Sequence, residues 1–147
     1  MAKISDLLND LIATCRDSEE GFGKAAKGVH GENLRHRFLG IARERAGFAE
    51  ELAARVRQID GPPADTGHLS GIQHRGWREL DAGIRPRNDA SFLAACEEGE
   101  ENTLRHFEHA LTADLPADVR SMVERQRLAV QTALLELRDL EQLRKAG

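Results

Sequence analysis

Apolar residues recur at intervals of three and four through most of the chain, a spacing that puts them on one face of a helix. Four stretches show this pattern: about residues 4–29, 32–59, 89–112 and 117–144. Glycine and proline stand at the breaks between them, most clearly in Gly61-Pro62-Pro63 and Leu115-Pro116. β-branched residues are few and no stretch alternates with a period of two. The pattern therefore predicts an all-α fold.

The connections between these helices predict how they are arranged. The first and second helices are joined by a few residues, as are the third and fourth, so each pair should be an antiparallel hairpin. About 61–88 forms a much longer crossover, in which Trp77, Leu80 and Ile84 have helical spacing. We expect one domain over 1–147, a ferritin-like four-helix bundle with one long crossover between the second and third helices. The two halves have similar lengths, but no repeat of residues is visible.

Each apolar stripe carries a polar residue near its middle, and mid-helix positions of an antiparallel bundle lie at one level. The predicted polar layer of the core contains Cys15, Ser18, Arg45, Glu100 and Gln126. A guanidinium binds a carboxylate through two hydrogen bonds, so Arg45 and Glu100 can pair inside the bundle. The alternative is that both lie at the edge of the stripe and extend into solvent. The sequence leaves both interpretations open.

The same level holds two metal ions in ferritin-like carboxylate proteins, which use Glu-x-x-His pairs as ligands. This sequence contains no Glu-x-x-His, and a cation such as Arg45 would repel a divalent metal. We therefore expect no metal and no other cofactor. The alternative is a degenerate site for iron or manganese. Its candidate ligands are Glu19, Glu97, Glu100 and Glu124.

Charge and composition limit the classes of partner and the cellular compartment that we expect. The 147 residues include 21 Lys and Arg and 25 Asp and Glu, which gives a formal net charge of −4 without a basic segment. This argues against nucleic acid as a partner. No apolar run is long enough for a membrane span, and no secretory leader is visible. The two cysteines are too few for a disulfide scaffold, so we expect a cytoplasmic protein.

Other candidate features have simple structural alternatives. His106 and His109 could share a zinc or nickel ion, but no third ligand is evident. Trp77 could anchor a partner or pack on its own bundle. A small-molecule carrier is a third class of function. Its cavity would lie beside the small residues Gly21, Gly23, Ala25 and Ala46.

Several segments resemble a known protein family. They are LNDLIATCRDSEEGF, the Phe48–Leu52 segment, HRGW at 74–77 and LPADVRSMVERQ at 115–126. Together they resemble a bacterial ferritin-like four-helix-bundle family, a domain of unknown function that is distantly similar to rubrerythrin and bacterioferritin. The resemblance implies the ferritin-like fold but no activity and no catalytic residue.

These observations favour a non-catalytic binding or structural protein, and the association of the fold with stress responses adds a stress-related role. An enzyme is the less favoured interpretation. If the chain is one, it is a degenerate di-metal oxidase or metal-handling protein. The sequence leaves open a homodimer and an unknown protein or small-molecule partner.

Overall fold

Four α-helices make up nearly all of the structure that the computed structural model describes, which is residues 3–60, 77 and 88–146. They are α1 (Ile4–Gly28), α2 (Glu32–Asp60), α3 (Asp89–Leu111) and α4 (Ala117–Ala146). The described residues contain no strand. The predicted all-α four-helix bundle is confirmed, and the helix limits differ from the predicted ones by at most two residues. The predicted crossover lies outside the described residues, apart from Trp77 and Asn88.

The first turn of α3 shows how local chemistry fixes a helix end. Asn88 is the N-cap, because its side-chain Oδ1 accepts a hydrogen bond of 2.8 Å from the Ser91 backbone N–H. Asp89 instead bonds to the α1–α2 turn, accepting from the backbone N–H groups of His30 at 2.8 Å and Gly31 at 3.0 Å. The start of α3 therefore lies beside the turn that joins α1 to α2.

Side-chain pairs give the direction of each helix. Arg16 of α1 pairs with Glu50 of α2, and Asp10 of α1 pairs with His106 of α3. Since Asp89 at the start of α3 meets the end of α1, α1 is antiparallel to both α2 and α3. It follows that α2 and α3 run parallel to each other. Both pack on α1 and on α4 rather than on each other, so they stand on opposite corners of the bundle.

Two apolar clusters fill the interior, one toward each end. One cluster is built around Leu11, Leu52, Phe107 and Val123, and the other around Phe22, Phe38, Leu93 and Leu137. Between them the described core holds a level of polar side chains. The bundle therefore has an apolar core at both ends and a polar centre.

The two helical hairpins share one spacing, although their residues differ. The first hairpin (α1–α2) and the second hairpin (α3–α4) have helices that begin 85 residues apart, at Ile4 and Asp89 and at Glu32 and Ala117. The same shift relates every buried residue of α4 to a buried residue of α2. In order, Val119, Val123, Gln126, Val130, Ala133, Leu134 and Leu137 correspond to Leu34, Phe38, Ile41, Arg45, Phe48, Ala49 and Leu52. The repeat lies in the burial pattern and was missed at the level of residue identity.

An arginine in the first turn of the second helix closes each hairpin. Arg35 donates to the backbone carbonyls of Ala26 at 3.1 Å and Val29 at 2.8 Å. Arg120, also 85 residues later, donates to the carbonyls of Leu111 at 3.2 Å and Ala113 at 2.6 Å. Each guanidinium satisfies carbonyls that the end of the preceding helix leaves without a partner.

Trp77 is wedged between α1 and α3. Its side chain is 2% exposed, and its ring meets Phe22 edge-on with centroids 5.1 Å apart. A Cβ atom on Gly21 or on Gly99 would overlap the indole ring, so both positions need glycine for this close approach. The structure therefore places Trp77 in the packing of its own bundle.

Candidate functional site

A buried ion pair joins α2 to α3 through the centre of the bundle. The Arg45 Nη1 donates a hydrogen bond of 2.7 Å to Glu100 Oε1, and Nη2 lies 2.7 Å from Glu100 Oε2. Both side chains are 0% exposed. Because α2 and α3 stand on opposite corners, the pair spans the diagonal of the bundle. The Nη2–Oε2 contact lacks hydrogen-bond geometry, so the pair consists of one hydrogen bond and a second close contact between opposite charges.

The wall around the pair is part polar and part aromatic. Ser18 Oγ of α1 accepts a second hydrogen bond from Arg45 Nη1, at 3.3 Å. The rings of Phe22 and Phe48 lie beside the guanidinium, with each centroid 5.9 Å from the Arg45 Cζ. This distance is within the range of a cation–π contact. The aromatic rings keep water from the pair and offer a weak attraction to its cation.

One carboxylate reaches the pair from the surface. Glu44, next to Arg45 on α2, is 43% exposed and its Oε1 lies 3.6 Å from Arg45 Nη2. The Arg45 Nε and Nη2 are buried without a hydrogen-bond partner among the described residues. The guanidinium is thus held by hydrogen bonds at Nη1 and by its charge at Nη2.

Burial and charge act against each other at the pair. Burial raises the pKa of Glu100, and the Arg45 cation opposes that rise. At Arg45 burial lowers the pKa, but the adjacent Glu100 carboxylate outweighs it and the pKa ends above its ordinary value. A buried ion is costly unless its partner is in place, so each residue requires the other.

Two buried thiols lie near this level. Cys15 and Cys96 are 0% exposed and neither forms a disulfide. Burial raises the pKa of Cys15 to about 12, and it raises the pKa of Cys96 well above the ordinary value. Only the thiolate is nucleophilic, so neither residue has the character of a catalytic or redox cysteine at neutral pH.

Gln126 is buried but bonds to a different set of residues. Its Nε2 donates to Glu51 Oε1 at 3.1 Å, and the neighbouring Arg125 Nη2 donates to Glu51 Oε2 at 2.6 Å. Burial raises the pKa of Glu51, but these two donors outweigh it and the net pKa is lowered. Gln126 therefore belongs to the seam between α2 and α4, whereas Ser18, Arg45 and Glu100 form one bonded set.

The four carboxylates of the alternative metal site do not meet. Glu19 pairs with Arg16 at 2.9 Å, Glu97 pairs with Arg138 at 3.2 Å, and Glu124 lies 3.8 Å from Arg120. Only the fourth, Glu100, lies in the core. Within the described residues no group of three or more His, Cys, Asp or Glu side chains is arranged to hold a metal ion.

The remaining candidates are also placed. His106 Nδ1 lies 2.8 Å from Asp10 Oδ2, while His109 is exposed on α3. Of the small residues proposed to line a cavity, Gly21 is covered by the Trp77 ring and Gly23 faces open space. No described helix is long and apolar enough to cross a membrane.

Sequence reasoning missed the two aromatic rings that enclose the ion pair. Phe22 follows Ser18 by four residues and Phe48 follows Arg45 by three, so each ring stands one helical turn from a polar residue of the stripe. That spacing was a usable signal. The pairing of Gln126 with Glu51 gave none, because Glu51 lies among several surface acids.

Comparison with known families assigns most of the chain to one family. A comparison with curated proteins gives no match. The profile of a family described as a domain of unknown function, DUF2383, matches residues 3–113. The matched segment contains Ser18, Arg45 and Glu100, and α4 lies beyond it. The chain belongs to this family.

Proposed function

We propose that the chain is a ferritin-like bundle that acts as a non-catalytic structural or binding protein. The observation that carries the proposal is the ion pair of Arg45 and Glu100, with N–O distances of 2.7 Å, at the centre of the bundle. Ferritin-like carboxylate proteins hold their metals in the bundle core. Here a guanidinium occupies the core level.

The order of the helices supports the ferritin-like part of the proposal. Parallel α2 and α3 require a connection between opposite ends of the bundle, which is the single long crossover of ferritin-like folds. A bundle with short loops throughout would instead make α2 and α3 antiparallel. The fold alone does not assign an activity.

The chemistry of the centre supports the non-catalytic part. Both oxygens of Glu100 already face Arg45, so a metal would have to displace the guanidinium. The displaced cation would remain buried beside a divalent ion, and two such charges repel strongly in a medium of low polarity. The centre is therefore suited to holding the helices together. Any partner would have to bind at the surface of the bundle.

The buried thiols support a reducing compartment. Cys15 and Cys96 are both free and fully buried, which fits the bacterial cytoplasm that the proposal assigns to this protein. The stress-related role is part of the proposal and is supported only by the resemblance of the fold.

The test is metal analysis of the untagged protein, purified without chelator and then mixed with ferrous iron in air. We expect no stoichiometric iron or manganese and no oxygen consumption above the buffer rate. About two metal ions per chain, as in a di-metal centre, would overturn the proposal if they were lost in Glu100→Gln but kept in Glu108→Gln. Glu108 is the matched control because it is an exposed carboxylate on α3 that is not among the four candidate ligands.

A further inference from the structure

The outer face of α4 carries an apolar stripe that the rest of the described chain leaves uncovered. Leu128 is 56% exposed and Leu135 is 53% exposed. They are seven residues apart, which is close to two helical turns, and the exposed Thr132 lies between them on the same face. The matching positions of α2, which are Arg43 and Glu50, are charged. The stripe is thus specific to the second hairpin.

Charged residues border this stripe in an ordered way. At 100° per residue, Glu124 and Arg138 fall on one side of the leucines, while Arg125 and Asp139 fall on the other. Each side therefore has one acid and one base, fourteen residues apart, and the order of the charges is reversed between the two sides. All four side chains are exposed.

We propose that a second copy of this chain covers the stripe, with the two α4 helices antiparallel. A two-fold axis beside Thr132 would place Leu128 of each copy against Leu135 of the other. The same axis brings like sides together, so Glu124 faces the partner's Arg138 and Arg125 faces the partner's Asp139.

The helix dipoles favour this antiparallel arrangement over a parallel one, since the charge order fits both. A parallel pair would also oppose unlike charges, but it would align two 30-residue helix dipoles in the same direction. Arg125 donates from Nη2 to Glu51, and Arg138 donates from Nε to Glu97 and from Nη2 to Glu101, so each arginine keeps further N–H donors for a partner. An arginine has five N–H donors and can serve two carboxylates.

The size of the stripe sets the expected strength. A standard interface covers roughly 800 Å² on each partner, more than two half-exposed leucines and their neighbours supply. We therefore expect a dimer that dissociates on dilution in the micromolar range. Sedimentation velocity across that range should show the mass move from twice the 16.3 kDa chain mass to the chain mass.

Leu128→Glu and Leu135→Glu should each abolish the dimer and leave the helical circular dichroism unchanged, because both positions are exposed. Arg43→Glu is the matched control, since it changes charge at the position of the first hairpin that corresponds to Leu128. A wild-type chain that stays monomeric at high concentration would overturn the proposal. So would a dimer that survives both leucine variants.

Cross-linking tests the orientation. Thr132→Cys should form a disulfide-linked dimer under mild oxidation, whereas Gly47→Cys, at the corresponding exposed position of α2, should not. The native Cys15 and Cys96 are buried and do not compete. A mixture of Leu128→Cys and Leu135→Cys chains should cross-link faster than either alone. Faster self-linking of Leu128→Cys would overturn the antiparallel pairing.

Discussion

The two hairpins of this bundle share a spacing but not an interior. Where the first hairpin buries Arg45, the corresponding position of the second is Val130, and where the second buries Glu100, the first has Cys15. A symmetric copy of the ion pair would have placed two cations and two anions at one level. Keeping one residue of each sign leaves a single pair across the diagonal, which ties the two hairpins to each other.

The seam between α1 and α3 shows the same kind of difference. Gly21 and Gly99 face the ring of Trp77, and the positions related to them by the 85-residue shift are His106 and Thr14. One part of the seam is thus opened by glycines to admit an indole. The corresponding part is filled by larger side chains of the helices themselves. The repeated spacing fixes where the helices lie, and a few substitutions decide what each location holds.

The largest expected effect comes from breaking the pair that distinguishes the hairpins. Glu100→Leu leaves Arg45 as an unpaired buried cation, and we expect a loss of about 3–5 kcal/mol in the free energy of unfolding. The double variant Arg45→Met/Glu100→Leu should regain most of that loss, because it removes both charges. Urea unfolding measures both. Losses that simply add in the double variant would show that the two residues are not coupled.

The next effect comes from the glycines under Trp77. Gly99→Ala places a methyl group inside the space of the ring, and we expect a loss of about 1–3 kcal/mol, as for other overpacked cores. The fluorescence of Trp77, the one tryptophan in the chain, should shift to the red as the ring is displaced.

Gly23→Ala is the control for this prediction, because nothing lies within 4 Å of its added Cβ. Alanine favours a helix by roughly 1 kcal/mol over glycine, so this variant should be more stable than the wild type. If Gly99→Ala were stabilised to the same degree, the close packing of Trp77 on α3 would be contradicted.

A smaller effect is expected from the arginine that closes the turn of each hairpin, a feature that the two hairpins share. Arg35→Ala and Arg120→Ala each remove two hydrogen bonds to backbone carbonyls, and we expect similar losses of about 1 kcal/mol. Each arginine side chain is 36% exposed, so water replaces part of the interaction. Thermal unfolding of Arg35→Ala and Arg120→Ala measures both losses. The exposed Arg43→Ala is the control, and its stability should change little. Clearly unequal losses would argue against equivalent turns.

The sequence predicted the helices well because burial follows a simple period. The apolar stripe and the Gly-Pro breaks place all four helices within two residues of their limits. The antiparallel hairpins followed from connection length. The repeat of 85 residues was missed, since Ile41 and Gln126 or Arg45 and Val130 share burial but not chemistry. The repeat is visible in the pattern of buried positions and not in the residue identities.

The candidate site was less predictable because it depends on side-chain direction. The stripe placed Arg45 and Glu100 near one level, but helical phase alone could not exclude an outward orientation. Gln126 is buried like Arg45 and Glu100 but does not bond to them, since its amide turns toward Glu51. Such choices depend on a few tens of degrees of rotation and on competing hydrogen bonds, neither of which a period of three and four encodes.

A pH-dependent effect concerns a carboxyl pair that only the second hairpin has. Glu97 of α3 and Glu141 of α4 correspond to the buried Ile12 and Val56 of the first hairpin. Burial and the adjacent carboxylate of Glu97 raise the pKa of Glu141 from 4.5 to about 7. The folded chain therefore keeps a proton that the unfolded chain loses above pH 4.5 or so. The free energy of unfolding should fall as the pH rises between about 4.5 and 7.

Glu141→Gln should remove that slope, because the amide cannot ionise, and Glu141→Val, which copies Val56, should remove it too. Urea unfolding at several pH values in this window measures the slope, with Glu124→Gln as an exposed control on the same helix. Glu97 has the opposite sign: its pKa is lowered by the hydrogen bond to Glu141 and by Arg138, so its contribution is lost only at more acidic pH. A slope that persists in both Glu141 variants would assign the titration to another group. The contrast with the Ile12 and Val56 positions would then concern packing alone.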